Sequence, residues 1–492
     1  MTAHQPIPAK AAAARATLAV PLFVDVDGTL LRADLSLESF VRVLRSGLVL
    51  ALGLLLALLR GRAAAKTFAA RHDPIDPAVL PYRREVLDLI AAARAEGRPV
   101  ILASASHWRP VAAIARHLGL TDPVLASNRR RNLKGAAKLA VIRALIGQGT
   151  PFDYAGDSAA DRPLWRAARQ GWTLGLMPTD GSACRLGAPP PRPFAALLKA
   201  MRPHQWAKNA LVLVPLFMSG QFLEPLLIAK AVIAALAMSA IASAIYLIND
   251  LLDIDADRAH HSKWQRPLAH GDLTIPAALG WSILLGLGGL ITGWVAGGAM
   301  LALWLMAYMA LSLAYSFRLK AAMVADALSL AMLYTIRIWI GGAAVGVSIS
   351  YWLLLFSIFL FLSLAYLKRY IEVRAGADAR LLVKGRGYVG GDADLVMVSG
   401  VAAGMVAILI LALFAHEPEA IAAYAEPDLL LLICLPLLYW LNRIWIMARR
   451  GEVEGDPVAF AIRDRRSLAV GAIMGAIFLA AMFGTEPLEA LA

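Results

Sequence analysis

Cysteine is almost missing from this chain: Cys184 and Cys434 are the only two in 492 residues, and they lie far apart. That excludes a disulfide framework and a cysteine-built zinc site. Charge is also scarce, at 17% of residues against 59% hydrophobic ones, with a mean hydropathy of +0.62. A wholly soluble protein of this size is excluded, and a portion that crosses a membrane several times is expected. The N-terminus lacks a compact apolar core followed by a cleavage site, so the Ala-rich stretch from Met1 to Leu18 is expected to be a loose tail rather than a signal peptide. Residues 201–492 lack net charge, with 21 Lys and Arg against 21 Asp and Glu. The formal +13 therefore sits in residues 1–200, which carry 27 basic and 14 acidic residues. So basic a portion suits either nucleic acid or an anionic lipid surface. Because it is joined to an apolar portion, the bilayer is the expected partner and nucleic acid is not.

What stands out is Asn249-Asp250-Leu251-Leu252-Asp253-Ile254-Asp255-Ala256-Asp257, closing an apolar run from Pro225 to Ile248 long enough to cross a bilayer. A helix through it would place Asp250, Asp253 and Asp257 at i, i+3 and i+7, on one face. Carboxylates crowded there repel unless a cation lies among them. Mg²⁺, which favours oxygen ligands and phosphates, is the expected one. A solvated acidic loop is the plainer alternative; the N-D-x-x-D-x-x-x-D spacing at a membrane boundary favours the metal.

Upstream, three apolar stretches alternate with helical patterns. Leu18 to Val24 ends in Asp25-Val26-Asp27-Gly28-Thr29-Leu30, and Pro99 to Ala103 ends in Ser104-Ala105-Ser106. Phe152 to Ala155 ends in Gly156-Asp157-Ser158-Ala159-Ala160-Asp161. Helical patterns such as Arg83 to Arg94 and Lys138 to Ile146 lie between them, which predicts a parallel sheet with its chemistry at the C-terminal strand ends.

These strand ends, with Lys134 or Lys138 in Asn132-Leu133-Lys134-Gly135-Ala136-Ala137-Lys138, resemble the four motifs of the haloacid dehalogenase superfamily of phosphatases. The resemblance implies a Rossmann-like α/β domain over 19–185 with a helical cap over about 33–82. It implies Asp25 as the nucleophile on phosphorus and Asp27 as general acid and base. It further implies Mg²⁺ on Asp25, Asp157 and the Asp27 backbone carbonyl, with Asp161 in support. Ser104 and one lysine would bind the phosphoryl oxygens, and Lys138 fits the usual placement before a helix somewhat better than Lys134. An inert α/β domain with acidic loop ends is the alternative. The cap region holds an apolar run from Gly47 to Leu59 between Arg45 and the pair Arg60 and Arg62. It is shorter than the roughly 20 residues a span needs, and reads equally as an interfacial helix or a buried cap helix. Residues 186–195, with Pro189-Pro190-Pro191, are expected to form a stiff linker.

Nine apolar segments follow, near 207–220, 225–248, 275–296, 299–317, 323–347, 350–367, 394–415, 427–447 and 467–484. Loops after even-numbered segments hold nearly all the Lys and Arg, including Arg258, Lys263, Arg266, Arg318, Lys320, Lys368, Arg369, Lys384, Arg386 and Arg449. The positive-inside rule then predicts a multi-pass protein of the bacterial inner membrane, with the Asp250 stretch and the N-terminal domain on the cytoplasmic side. Further cations gather on that side: Arg202-Pro203-His204-Gln205-Trp206-Ala207-Lys208-Asn209 opens the first segment, and Tyr315-Ser316-Phe317-Arg318-Leu319-Lys320 leads to Asp326, with Arg337 eleven residues on. Arg337 lies deep enough to need a polar cavity or an acid, while Lys208, Arg318 and Lys320 each fit plain membrane anchoring as well.

Residues 196–492 resemble the UbiA superfamily of intramembrane prenyltransferases, which implies an all-α bundle of nine transmembrane helices around a cavity. The motifs at 202–209, 315–320, Asp326, and Arg337 with Gly341-Gly342 are most similar to its decaprenyl-phosphate phosphoribosyltransferase branch. No second D-x-x-x-D follows Asp326, which counts against a prenyl diphosphate donor. The branch implies phosphoribosyl pyrophosphate bound through Mg²⁺ on Asp250, Asp253 and Asp257, with substrate contacts from Arg202, Gln205, Lys208, Asn249, Tyr315, Arg318, Lys320, Asp326 and Arg337. It implies a polyprenyl phosphate as acceptor, and removal of the 5-phosphate by the N-terminal domain. The alternatives are prenyl transfer to a small acceptor beside an independent phosphatase, and a non-enzymatic scaffold or transporter.

Overall fold

The computed structural model describes residues 20–484 other than 74, 129–130, 176, 189–192, 376–386 and 454. The expected tail at 1–18, Pro189 to Pro191 of the expected linker, Lys384 and Arg386 lie outside the described residues. The chain divides into two compact units, Met1–Met201 with Tyr246–Trp281, and Arg202–Ile245 with Ser282–Ala492.

In the first unit six strands form one parallel sheet in the order β3-β2-β1-β4-β5-β6. They are β1 (Leu22–Val24), β2 (Val100–His107), β3 (Leu125–Ser127), β4 (Asp153–Gly156), β5 (Gln170–Thr173) and β6 (Cys184–Arg185). Strands covered on both faces are apolar throughout rather than alternating. Accordingly Leu22 and Val24 pack with Val86, Ile90 and Val111 in one core, and Phe23 packs with Ile142, Phe152 and Trp165 in another. Phe23 lies opposite both Ile101 and Tyr154, so β1 is flanked by β2 and β4. The turns after β1, β2 and β4 are thereby gathered at one end of the sheet.

The cap is helical as expected. Its α1 (Leu35–Arg45) starts on Asp34, whose carboxylate accepts from the Ser36 and Leu37 amides at 2.9 and 3.0 Å. Then follow α2 (Leu48–Leu59) and α3 (Arg62–His72), which pack through Leu54, Ala57, Ala65 and Ala69 around Val43. Only one side of α2 is used in this way; Leu52, Leu55, Leu56, Leu58 and Leu59 are exposed.

Within the same unit the apolar helix Pro225–Leu252 ends and the chain breaks at Asp253 (φ −100°, ψ 14°) before a short helix, Ile254–Arg258. The single helix expected through Asp250, Asp253 and Asp257 is therefore broken at its middle acid. Acids crowded at a helix C-terminus oppose the helix dipole, and ending the helix at Leu252 relieves that repulsion.

Seven helices among the described residues are long and apolar enough to cross a membrane: Pro225–Leu252, Ile275–Phe317, Ala325–Val345, Tyr351–Arg374, Gly390–Phe414, Leu429–Arg450 and Arg465–Phe483. Ile275–Phe317 is two helices joined across Gly297 (φ −140°) and Gly298 (φ 68°), where the segments expected at 275–296 and 299–317 meet. Only glycine takes the Gly298 conformation without steric cost. The segment expected at 207–220 is not a crossing helix: tight 3₁₀ turns over Pro203–Leu213 run into a five-residue helix, Val214–Met218. Proline lacks an amide donor and is best accommodated in the first turn, and Pro215 opens this short helix. The expected nine helices are not all present among the described residues.

Candidate active sites

The first carboxylate group lies at the C-terminal end of the sheet. Asp25 follows β1 and accepts from the Val26 amide at 2.8 Å. Lys138, fully buried on helix Ala136–Ile146, reaches Asp25 at 3.0 Å and Asp161 at 3.7 Å. Tyr154 accepts from Lys138 at 3.0 Å and donates to Asp161 at 2.7 Å. Of the two lysines left open, Lys138 is the one brought to Asp25; Lys134 is exposed on the cavity wall. Asp27 accepts from the Leu35 amide and the Ser104 hydroxyl, both at 2.8 Å. Ser104 is wholly buried, whereas Ser106 lines the cavity and bonds Ser36 at 2.9 Å. Asp157 accepts from Thr29 at 3.3 Å and lies over Gly28 (φ 76°), where a Cβ would fall 2.2 Å from its carboxylate.

One oxygen each of Asp25, Asp157 and Asp161 lies within 4.8 Å of the others, a donor set that suits one hard divalent cation. Burial pushes the Asp25 carboxyl up to about 8, against the pull of Lys138, and raises Asp157 to about 6 with Asp161 adding to the effect. A cation among them favours their charged forms. The group opens into a cavity of about 760 Å³, lined also by Arg62 and Lys66 of α3 and by Leu268, Leu273 and Ile275. Lys66 donates to the Ala105 carbonyl at 2.7 Å, and burial lowers its ammonium.

The second carboxylate group belongs to the same unit. Asp250 and Asp257 are both buried, and Arg266 joins them at 3.2 and 2.7 Å. Asp253 occupies the helix break between them. Burial raises the Asp257 carboxyl despite Arg266 and Lys263. The Asn249 side-chain oxygen is buried with no hydrogen-bond partner among the described residues. An orphaned oxygen beside carboxylates offers the oxygen donors that Mg²⁺ prefers. The remaining charges of the stretch turn to α1: Arg42 grips Asp255 with two bonds of 2.7 Å, and Arg258 grips Glu38 at 2.6 and 2.9 Å. Arg42 also reaches Glu38 at 3.0 Å and Asp73 at 3.3 Å, which joins the two two-pronged pairs and Asp73 in a five-charge network.

In the second unit Asp326 is wholly buried against Arg369 at 2.8 Å, and Tyr388 donates to it at 2.9 Å. Arg369 was expected in a loop; it lies inside helix Tyr351–Arg374, also wholly buried, and reaches Tyr315 at 3.3 Å. The same Tyr388 hydroxyl accepts from the Val324 amide at 2.9 Å, holding a β-branched residue at φ 62°. Arg337 has different surroundings from Asp326. It donates to Asn209 at 3.2 Å and to the Leu333 carbonyl, and stacks 5.2 and 5.1 Å from the Tyr308 and Tyr334 rings. Eleven residues return to one helical face but rise about 16 Å, so the two side chains cannot share a partner. Lys208 is no simple anchor, because it pairs with Asp456 at 2.6 Å and lies 5.8 Å from the Tyr334 ring. Lys368 reaches the same carboxylate at 3.6 Å, and the two lysines hold Asp456 below its usual range although burial pushes it up. Arg202 (φ 55°) and Gln205 lie on the opening 3₁₀ turns, Arg318 is exposed after Phe317, and Lys320 lies in the next turn.

Residues 210–470 match the UbiA prenyltransferase family, and residues 22–166 match the haloacid dehalogenase-like hydrolases. The chain belongs to the UbiA prenyltransferase family. An uncharacterized protein of Sinorhizobium fredii, y4nM, is 36% identical over 478 residues, covering 94% of this chain and 91% of that one. The decaprenyl-phosphate phosphoribosyltransferase of Mycolicibacterium smegmatis is 39% identical over 202 residues, 39% of this chain and 63% of that protein. Among solved structures, a UbiA homologue of Archaeoglobus fulgidus bound to GPP and Mg²⁺ aligns with TM-score 0.44 at 18% identity, over 58% of this chain and 98% of that one.

In this UbiA chain, sequence reasoning missed Lys66, Tyr388 and Asp456 as site residues, and took Arg266 and Arg369 only for loop cations. Asp456 carried a signal: an acid directly before Pro457 marks a helix start, and its carboxylate does accept from the Val458 and Ala459 amides. Nothing in the spacing marks Tyr388.

Proposed function

We propose that this UbiA member is a bifunctional membrane enzyme that transfers 5-phosphoribosyl from phosphoribosyl pyrophosphate to a polyprenyl phosphate and then removes the 5-phosphate. The decaprenyl-phosphate phosphoribosyltransferase relatives support the first step, and the haloacid dehalogenase-like domain supports the second. The observation that carries the reading is the presence, in one compact unit, of two buried carboxylate groups, each with its own cation: Asp25 and Asp161 with Lys138, and Asp250 and Asp257 with Arg266.

In the first step Asp250, Asp253 and Asp257 would hold Mg²⁺, a cation that would supply charge to neutralise the diphosphate of the donor. Arg266 adds a guanidinium suited to the same diphosphate. A phosphate oxygen of the lipid attacks the anomeric carbon of the ribose, the carbon–oxygen bond to the diphosphate breaks, and pyrophosphate leaves with the electron pair. The product is polyprenyl-phosphoryl-5-phosphoribose.

In the second step Asp25 attacks the 5-phosphorus while Asp27 gives its proton to the departing ribose oxygen. Water then hydrolyses the aspartyl phosphate as Asp27 takes the proton back, releasing inorganic phosphate and polyprenyl-phosphoryl ribose. Lys138, beside Asp25, balances charge on the phosphoryl oxygens. Asp25, Asp157 and Asp161 would hold the Mg²⁺ of this site, whose charge would shield the incoming nucleophile from the phosphate. Both steps are assigned to the cytoplasmic face of the bacterial inner membrane.

The test is mass spectrometry of lipids made by purified protein from phosphoribosyl pyrophosphate and polyprenyl phosphate. Wild-type protein is expected to form the ribosyl lipid, and Asp25→Asn to accumulate the phosphoribosyl lipid. Ribosyl lipid forming at the normal rate in Asp25→Asn would sink the second step. Stabilisation by prenyl diphosphates but not by phosphoribosyl pyrophosphate would favour prenyl transfer instead.

A further inference from the structure

We propose that α2 lies on the bilayer surface and delivers to the α/β cavity a phosphate monoester carried on an amphiphile. Helix α2 contains no polar side chain, and among its described side chains only Leu54 and Ala57 are buried, against Val43, Ala65 and Ala69, with Leu50 half-buried beside them. Val49, Leu52, Leu56 and Leu59 are 83, 52, 59 and 85% exposed, and their spacing of three, four and three residues places them on one face. A contiguous apolar face of this kind marks a contact that water does not satisfy.

Three observations commit the occupant to lipid. Arg45, three residues before α2, donates to the Leu252 carbonyl at 2.6 Å, the last residue of the apolar helix Pro225–Leu252. The start of α2 is thus tied to the level at which that helix ends. Arg60 and Arg62, both exposed, follow its other end, where anionic headgroups would meet them. The cavity holding Asp25 is lined by Leu58 and Arg62 and also by Leu273, Ile275 and Pro276, where the next membrane-length helix begins. Its wall is therefore built from the interfacial helix and from the foot of a span. The lipid contact stands on this geometry alone; that the cargo is a phosphate monoester rests on the phosphatase reading above.

The test uses the full chain in nanodiscs of phosphatidylglycerol and phosphatidylcholine, with Cys184 and Cys434 replaced by serine. An NBD label on Leu56→Cys is expected to be quenched by doxyl-labelled lipid at least about twofold more than the same label on exposed Ala95→Cys. Equal quenching at the two sites, or a lipid-independent signal at 56 that tracks cross-linked dimers, overturns the proposal. In a second arm, Leu56→Asp with Leu59→Asp is expected to cut hydrolysis of lysophosphatidic acid in the same discs about tenfold, with para-nitrophenyl phosphate hydrolysis within about twofold of wild type. Unchanged lysophosphatidic acid hydrolysis overturns the delivery role. If the wild-type protein hydrolyses neither ester, the phosphatase reading fails while the quenching result still decides the lipid contact.

Discussion

The two carboxylate groups of the first unit are assembled by opposite routes. Asp25, Asp157 and Asp161 come from turns far apart in the chain, and the register of β1 with β4 brings them together. Asp250, Asp253 and Asp257 come from one short stretch, yet their arrangement depends on a broken helix and on Arg266 from the following loop. Nearness in sequence did not make a geometry easier to foresee. A parallel sheet with a defined strand order leaves its C-terminal turns few places to go, whereas a helix end crowded with charge has several ways to come apart.

The comparison can be broken most directly at Asp25, the proposed nucleophile. Asp25→Asn is expected to lower 5-phosphate removal at least about 10³-fold and to leave phosphoribosyl transfer within about twofold, measured by product mass spectrometry. An equal loss of both activities would mean that the two groups do not act separately. The reciprocal variant, Asp257→Asn, is expected to reduce phosphoribosyl transfer on the order of 10²-fold while para-nitrophenyl phosphate hydrolysis persists. A transfer rate unaffected by Asp257→Asn would return the acidic stretch to the status of a charged loop.

The link between α1 and the acidic stretch sharpens the same contrast. Glu38 and Arg258 are 2 and 4% exposed in their side chains and 2.6 Å apart, so Glu38→Gln strands a buried guanidinium. The expected cost is about 3–5 kcal/mol, read as a lowered thermal midpoint, and Glu38→Leu with Arg258→Leu should recover most of it. A further contrast is the pH slope of the metal-free protein. The folded chain keeps the Asp25 proton up to about 8, while the unfolded chain gives it up in the ordinary carboxylate range. Stability should therefore fall as pH rises through that window, by up to roughly 1.4 kcal/mol per pH unit, and Asp25→Asn should remove this part of the slope. Added Mg²⁺ should flatten it in the wild-type protein, because binding favours the carboxylate; a slope unchanged by both treatments would place the effect elsewhere.

Much of the architecture was legible because it is periodic or ordered along the chain. Apolar runs marked three of the six strands, and eight of the nine expected segments appear, six as separate membrane-length helices and two as the arms of Ile275–Phe317 bent at Gly297 and Gly298. The first, at 207–220, failed because hydropathy registers composition and not the backbone donors that Pro203 and Pro215 remove. Arg369 was assigned to a loop because the apolar run stops before it, but the helix continues to Arg374 since Asp326 compensates the buried charge. Lys134 and Lys138 could not be separated by spacing, one helical turn apart; burial of Lys138 against Asp25 separates them.

The order of motifs along the chain, and the abundance of long apolar runs, were enough to determine an α/β portion followed by a helical membrane portion, because strand and helix periodicities are local properties of side-chain pattern. Which charges meet was decided only by tertiary structure. Lys138 with Asp25, Arg266 with Asp250 and Asp257, and Arg369 with Asp326 are pairings across the fold, and a buried charge takes whichever partner packing brings within reach.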